Sequence, residues 1–564
     1  MKRNCFIVFF VISIFVLNGC SKTNEKKEAV ALQWFSDVSF WMPPNKWDFD
    51  SNTIQGKITE NTGVFFHMDI PPQQADMKLS MMLEEHELPD IISIVDKQMI
   101  SKLVKSGEVW PLQEFLEIYA PDSQLLKIFP EDIKNKLVVR DGDWYAYPSH
   151  ISSIDNRQNF DEPVEFYREL RDESSVVGII FNVDLMERAG IPIDQLRTEE
   201  GVLQALRTVQ NLKMKVNGKD VIPLLLDGNN YQVTTLDVLT GFFGGMPVDR
   251  EGNYRNILYD SCTKHAIKFM NTVVREGIVN SDQFTYDNTV IKTLFADQRV
   301  FAFIGNHDDT SYEKYGNWKS CGPVLSKEGT VPVYGKSSSS EATWIQTFIP
   351  KNNKHPEATA AFLSYITSEE GQQLAFCGLE DTDYKVDKDG KIYYTKEGLL
   401  RKDNYTETGL NAYWPFFNVD WYYSVLADPA KREDMVSDRE KMVKEIKCVW
   451  PENKNTFLFD NTPLNQTDLW LENEGSLLEI KKSIDKYKEK QLLKIILADS
   501  DKEFEQLYEE LMNTIEDMGI NEFDNAYNTK FQYFCDEENI QIENPNHTDE
   551  NEGELKKVVE TFAA

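Results

Sequence analysis

Cysteine and histidine are both scarce, seven of each in 564 residues. Cys5 and Cys20 fall near the N-terminus, and Cys262, Cys321, Cys377, Cys448 and Cys535 are widely spaced without a Cys-x-x-Cys. That pattern encodes neither a disulfide framework nor a thiolate zinc site. Isolated thiols, or one long-range disulfide, account for it. His86, in Glu84-Glu85-His86-Glu87, has no second histidine four residues on, so it is not half of a zincin helix but a residue of a solvated helix face. No Gly-x-Ser-x-Gly elbow and no phosphate-cradling glycine loop is present. No repeat of solenoid period occurs. Basic residues are outnumbered as well: 60 Lys and Arg against 93 Asp and Glu leave a formal charge of −33. This argues against nucleic acid, whose phosphates must be neutralised by cations, and against anionic polymers and acidic lipid surfaces. Apolar residues at 41% and aromatics at 12% are nevertheless too many for a disordered chain. The length suggests three domains or fewer, each with a sizeable core.

Long hydrophobic runs are also missing. The longest, Cys5 to Leu17, is broken only by Ser13 and falls short of the roughly 20 residues a bilayer span requires. With Lys2-Arg3 in front of it, it reads as a secretory signal. Leu17-Asn18-Gly19-Cys20-Ser21 resembles a bacterial lipobox. The resemblance implies cleavage before Cys20 and acylation of its thiol, hence residues 1–19 as signal peptide. Residues 20–30, polar and rich in Lys and Glu, suit a flexible tether.

Beyond residue 30 the chain alternates strand and helix patterns. Leu32 to Phe35, Val64 to Met68 and Ile91 to Val95 are strand candidates. Between them lie helix patterns ending near Gly63 and at Leu88-Pro89-Asp90. A β-α-β-α-β order with a nearly continuous apolar third strand predicts an α/β sheet buried on both faces. The alternation restarts at Val176 to Phe181, with a short helix closed by Gly190, a longer one over about 199–215, and a buried strand at Val300 to Ile304. Trp144 to Pro148 reads as a segment crossing between two lobes. Pro356 suits a helix N1 position, and Thr367 to Glu370 spells a capping box. Asp389-Gly390 predicts a hairpin turn. Beyond the aromatic stretch Tyr413 to Tyr423, long helices are expected at about 475–497 and 502–518. Residues 536–564, acidic and polar, are expected to be mostly disordered.

Several of these stretches resemble the extracellular solute-binding lipoproteins of bacterial ABC importers, in the family 1 group that handles oligosaccharides. They are the lipobox; Lys57 to Val64; Leu88 to Ile92; Asp141 to Pro148; Phe181 to Leu185 with Ala189 to Pro192; Lys354 to Glu380; and Phe504 to Tyr527. Each alone is weak, but they fall in one order along nearly the whole mature chain. The resemblance implies a two-lobed periplasmic-binding-protein-like fold of type II, with hinge strands and a helical and aromatic C-terminal extension. It places lobe one at 31–148 plus 306–349, and lobe two at 149–305 plus 350–535. It implies a monomer on the outer face of the bacterial cytoplasmic membrane, partnered by permease subunits and a lipid anchor, with no cofactor. Many large members carry a calcium loop before an Ile-Pro-Leu strand. Here Lys213 to Leu224 lacks the spaced carboxylates, so no metal is expected there. Asp381, Asp383, Asp387 and Asp389 are better explained by the hairpin.

A sugar presents apolar C–H faces rimmed by hydroxyls, so its site needs flat aromatic platforms beside Asp, Asn or Arg. The candidates near expected strand ends are Trp34, Trp41, Asp90, Trp144, Tyr145, Asn306, His307, Asp308, Trp344 and Trp414. For each aromatic, plain core packing is the competing reading. The low isoelectric point favours a neutral oligosaccharide over an acidic one. A glycoside hydrolase would need two carboxylates across a scissile bond, and no local motif presents such a pair. A structural cell-wall lipoprotein would show repeats, which are absent.

Overall fold

Short apolar runs become the strands of two sheets, and the chain passes between them three times. The computed structural model describes residues 29–547 except 174, 338–343, 432–435, 447–455 and 473, with the Glu173 side chain also excluded. The leader, Cys20, Cys448 and residues 548–564 lie outside the described residues. The chain first lays down β1 (Val30–Ser36), β2 (Val64–Asp69), β3 (Ile91–Ile94) and β4 (Tyr147–Pro148). It crosses through the helices Ile154–Arg157 and Glu165–Glu173 into β5 (Val177–Asn182). The small ladder β6 (Lys215–Val216) and β7 (Lys219–Asp220) comes next, then β8 (Ile222–Leu226), β9 (Val300–Asn306), β10 (Trp318–Lys319) and β11 (Val333–Lys336). It returns to the first sheet with β12 (Gln346–Phe348) and the hairpin β13 (Tyr384–Val386) and β14 (Ile392–Tyr394). A third passage, through the helix Asp438–Glu445, leads to β15 (Phe457–Asp460) beside β11. Four helices, Thr462–Leu471, Gly475–Ile496, Asp501–Asp517 and Ile520–Glu538, then cover the second lobe. The sheet orders are β2-β1-β3-β12-β4 and β10-β5-β9-β8.

Local chemistry sets these elements. β3, β5 and β9 are buried almost throughout, as near-continuous apolar strands must be. Thr53 caps the helix Ile54–Thr62, which stops at Gly63 in the left-handed region (φ 73°). Gly190 (φ 68°) closes the helix Val183–Ala189 in the same way. Pro356 stands at the start of its helix, as expected. The cap after it is Ser368 rather than Thr367: its hydroxyl accepts from the Gly371 N–H. Gly390 (φ 79°) turns the β13–β14 hairpin, and Asn217 with Gly218 turns β6 into β7.

From sequence, 306–349 belongs to lobe one and 350–535 to lobe two. The packing divides the chain differently. β10 pairs with β5, and Trp318 stacks on Phe295 at 4.7 Å, so the segment after β9 stays with the second sheet. The helix Pro356–Ile366 and the aromatic stretch return to the first: Phe362, Tyr413, Phe416 and Trp421 share one core with Leu32 and Trp34. Periodicity marks an apolar face but not the sheet it will cover. The acidic tail is also ordered further than expected. The last helix runs to Glu538, and Ile542 and Asn544 are buried on the second lobe. Asn546 donates to the Gly244 and Val331 carbonyls and accepts from the Val331 N–H. An asparagine that supplies both donor and acceptor anchors an otherwise polar segment.

Register fixes which strand ends stand at the passages between the sheets. In the first sheet Gln346 lies opposite Ile94 and Pro148, so the chain enters and leaves at the carboxyl ends of β1 to β3. In the second, Val177 pairs with Asn306 and Leu226 with Ile304. The carboxyl ends of β8 and β9 therefore share the edge where β5 enters. In open α/β sheets, ligands bind outside the carboxyl ends of strands.

Candidate functional site

A cavity of about 850 Å³ opens at that edge of the second lobe. Ser175 and Val177 at the entry of β5, residues 233–247 beyond β8, and the β11–β15 pair form part of its wall. The helices Thr462–Leu471, Gly475–Ile496 and Ile520–Glu538 supply much of the rest, with Tyr254, Asn256, Ile257, Pro323 and Ile446. Aromatic rings, Phe242, Tyr254, Tyr334, Phe459, Phe523 and Tyr527, alternate with Asn256, Asn461, Asn465, Asp237, Asp468, Lys481, Asp485 and Lys488. Tyr254 lies against Tyr527 at 4.1 Å between centroids. The Tyr527 hydroxyl lies 2.9 Å from Asp468 Oδ1 and 3.1 Å from the Leu464 carbonyl.

The charges are arranged on the helix Gly475–Ile496. Asp485 accepts from Lys481 at 2.5 Å and from Lys488 at 3.0 Å. Burial alone would raise the Asp485 carboxyl, but the two ammonium groups hold it below its ordinary value. Lys488 lies near Asp237, and Lys481 and the Tyr527 hydroxyl lie near Asp468. The lining thus combines flat apolar faces with carboxylate and amide hydrogen-bonding groups. That mixture suits a polyhydroxylated ligand more than a purely apolar one.

None of the ten sequence candidates lines this cavity. Trp34, Trp41 and Trp144 are core residues, at 0%, 1% and 1% exposure. Their indole N–H groups are spent on Ser93, the Ala412 carbonyl and the Ala146 carbonyl. Trp144 also stacks on Phe129 at 4.2 Å. Asp90 is buried at the amino end of β3, the far edge from the cavity, where its carboxylate accepts from the Gln33 N–H. Tyr145 packs against the Phe35 and Ile92 face of the first sheet. His307 is fully buried, edge-on to Tyr312, and burial pushes its imidazole down to about 4.

The remaining four stand at the hinge edge. Trp344, 38% exposed, stacks near Trp414 at 6.4 Å and 27°, with Tyr405 against Trp414 at 5.1 Å and His150 edge-on to Trp344 at 4.8 Å. Asn306 caps the turn after β9. Asp308 takes a bidentate pair from Arg439 at 2.8 and 2.7 Å. Against burial, that guanidinium draws its carboxyl down to about 2.

Next to this pair, burial pushes the Asp309 carboxyl up to about 7, helped by Asp227 and Asp308. A carboxyl whose folded value is raised contributes stability that is full below its unfolded value, 3.8, and lost as pH climbs through about 7. Asp309→Asn should therefore gain on the wild type as pH rises from about 4 to 8. Urea titrations of both proteins across that range check it, and a difference independent of pH refutes it.

The cavity residues escaped sequence reasoning because they come from segments between 175 and 527. The one available signal was the spacing of Lys481, Asp485 and Lys488, which puts three charges on one helix face beside the buried Ile484. Among the described residues, no group of three or more His, Cys, Asp or Glu side chains is placed to hold a metal. Asp383 is buried against Arg401 at 2.6 Å, and Asp387 closes the β13–β14 turn. Cys262, Cys321, Cys377 and Cys535 are free thiols. No described helix is long and apolar enough to cross a membrane.

No protein-family model and no curated sequence matches the chain. Solved structures do. The Streptococcus pneumoniae ABC-transporter substrate-binding protein FusA, as an EF-hand mutant in complex with fructo-nystose, is similar over 90% of this chain and 100% of its own. Its TM-score is 0.64 at 16% identity. A solute-binding protein of Bifidobacterium longum infantis that binds human milk oligosaccharides (HMO) covers 90% and 99%, at TM-score 0.58 and 12% identity. The alginate-binding protein AlgQ2, without calcium ion, covers 90% and 98%, at TM-score 0.54 and 12% identity. The chain has the two-lobed fold of periplasmic solute-binding proteins.

Proposed function

We propose that this chain captures an oligosaccharide between its lobes and delivers it, chemically unchanged, to an ABC import permease. A lipid on Cys20 would hold it at the outer face of the bacterial cytoplasmic membrane. The observation that carries the reading is the cavity at the strand-end edge of the second lobe, lined by aromatic, carboxylate and amide side chains of that lobe, over which the first lobe would close. Rings such as Phe459 and Tyr334, which are only partly buried, would lie on the C–H faces of the sugar, and Asp and Asn side chains would accept its hydroxyls. Ligand bridging the lobes binds the closed form better and so shifts the open–closed equilibrium toward it. Structures of the same fold bind fructo-nystose and milk oligosaccharides, which supports a carbohydrate and a binder rather than a hydrolase. The tether would raise the effective concentration of loaded protein near the permease.

Calorimetry against fructo- and milk-type oligosaccharides tests this, with mass spectrometry of the recovered sugar. A bound sugar should raise the melting temperature and come back intact. Phe459→Ala should weaken binding about tenfold or more, the equivalent of about 1.4 kcal/mol. Cleaved product would establish an enzyme instead. Mass spectrometry of the mature N-terminus tests the lipid on Cys20.

A further inference from the structure

The pairing of charges in the cavity bears on which sugars it admits. Lys481, Asp485 and Lys488 lie on successive turns of one helix, and the single carboxylate of Asp485 holds both ammonium groups. The two lysines of the lining are thereby engaged by one carboxylate, and with Asp237 and Asp468 the lining sets three carboxylates against two ammonium groups. Two other carboxylates of the lining are less engaged. Asp237 makes no side-chain hydrogen bond to a described residue, and Asp468 has one, from Tyr527. Both are exposed.

We infer that the cavity rejects acidic sugars, with Asp485 as the residue that sets this selectivity. The inference rests on the proposed carbohydrate function and narrows it. A neutral sugar can donate hydroxyls to Asp237 and Asp468 in charge-assisted hydrogen bonds. A uronate would meet those two carboxylates as like charges and find its natural partners already occupied. It would then be desolvated without a counter-ion. Discrimination of this kind works by repulsion as much as by attraction.

Asp485→Asn keeps the shape of the side chain and removes its charge, which frees two cations into the same cavity. The test is calorimetry of wild type and D485N with a set of neutral oligosaccharides and with trigalacturonate. The wild type should bind a neutral member and reject trigalacturonate, and in D485N the affinity ratio of uronate to neutral sugar should rise about tenfold or more. Adding Lys481→Gln and Lys488→Gln to D485N should abolish that rise. Asp468→Asn, which removes one facing charge, should raise the ratio independently and serves if D485N does not fold. A ratio unchanged in both D485N and D468N overturns the inference, as does a wild type that takes trigalacturonate as readily as a neutral sugar. A wild type that binds no sugar at all overturns the inference together with the carbohydrate function beneath it.

Discussion

Alanine at Trp34 is expected to lower stability by about 3–5 kcal/mol and to leave the proposed sugar binding of the folded fraction unchanged. The indole is fully buried, its centroid 5.2 Å from that of Trp41, 5.1 Å from Phe66, 5.6 Å from Phe416 and 5.9 Å from Phe362. Its N–H donates to Ser93 Oγ at 2.9 Å, and Ser93 in turn bonds Thr347 Oγ1 at 2.8 Å, which links β1 through β3 to β12. Removing the ring therefore opens a cavity lined by four aromatics and orphans a buried hydroxyl contact. The effect belongs to one face of the sheet. Leu32 and Trp34 point into this core, while Phe35, one residue on, packs on the opposite face with Ile92 and Phe348. Denaturant midpoints measure the stability change and calorimetry on the folded protein measures the affinity. A large affinity loss with little loss of stability would make Trp34 a ligand platform after all.

That contrast explains which parts of the molecule could be read from sequence. The strands around Ile91 and Val300 were legible because a strand covered on both faces has to be apolar at nearly every position, and the pattern is local. Gly63, Gly190 and Pro356 end or start helices through their own backbone geometry, which needs no tertiary partner. The division into lobes was not legible in the same way. The stripe Phe362 and Ile366 looks the same whether it covers β1 or β5, and only the shape of the hole around Trp34 and Phe66 decides. The site was harder still. Tryptophan near a strand end signals a platform only if the residue stays exposed, and Trp34, Trp41 and Trp144 are worth more to the core than to a ligand. Trp344 is exposed because it precedes β12 at the passage between lobes. The cavity is built where widely separated segments converge, so no single segment carried its pattern.

Asp420→Ala is expected to cost about 3–5 kcal/mol, the usual result of stripping one partner from a buried ionic cluster. Asp420 lies on the helix Val419–Val425 of the first lobe, and its side chain is 1% exposed. It accepts from the Ser153 N–H at 3.0 Å, Ser152 Oγ at 2.8 Å, Asn156 Nδ2 at 2.9 Å and Arg157 Nε at 3.3 Å, with Arg171 Nη1 at 3.8 Å. Every one of these partners lies on the first passage between the lobes. A single carboxylate thus fastens both helices of that passage to lobe one. Truncation leaves Arg171, 6% exposed, with Asp172 and Glu162 as its remaining partners. It also leaves the buried Ser153 N–H without its acceptor and Asn156 Nδ2 with Asn418 alone. Asp420→Asn keeps two acceptor lone pairs and should cost less than alanine. A double-mutant cycle with Arg157→Ala should show coupling of about 0.5–3 kcal/mol. An alanine cost below about 1 kcal/mol, with no coupling to Arg157, would mean the passage is held by the packing of Tyr167 on Tyr423, stacked at 5.4 Å, and not by its ions.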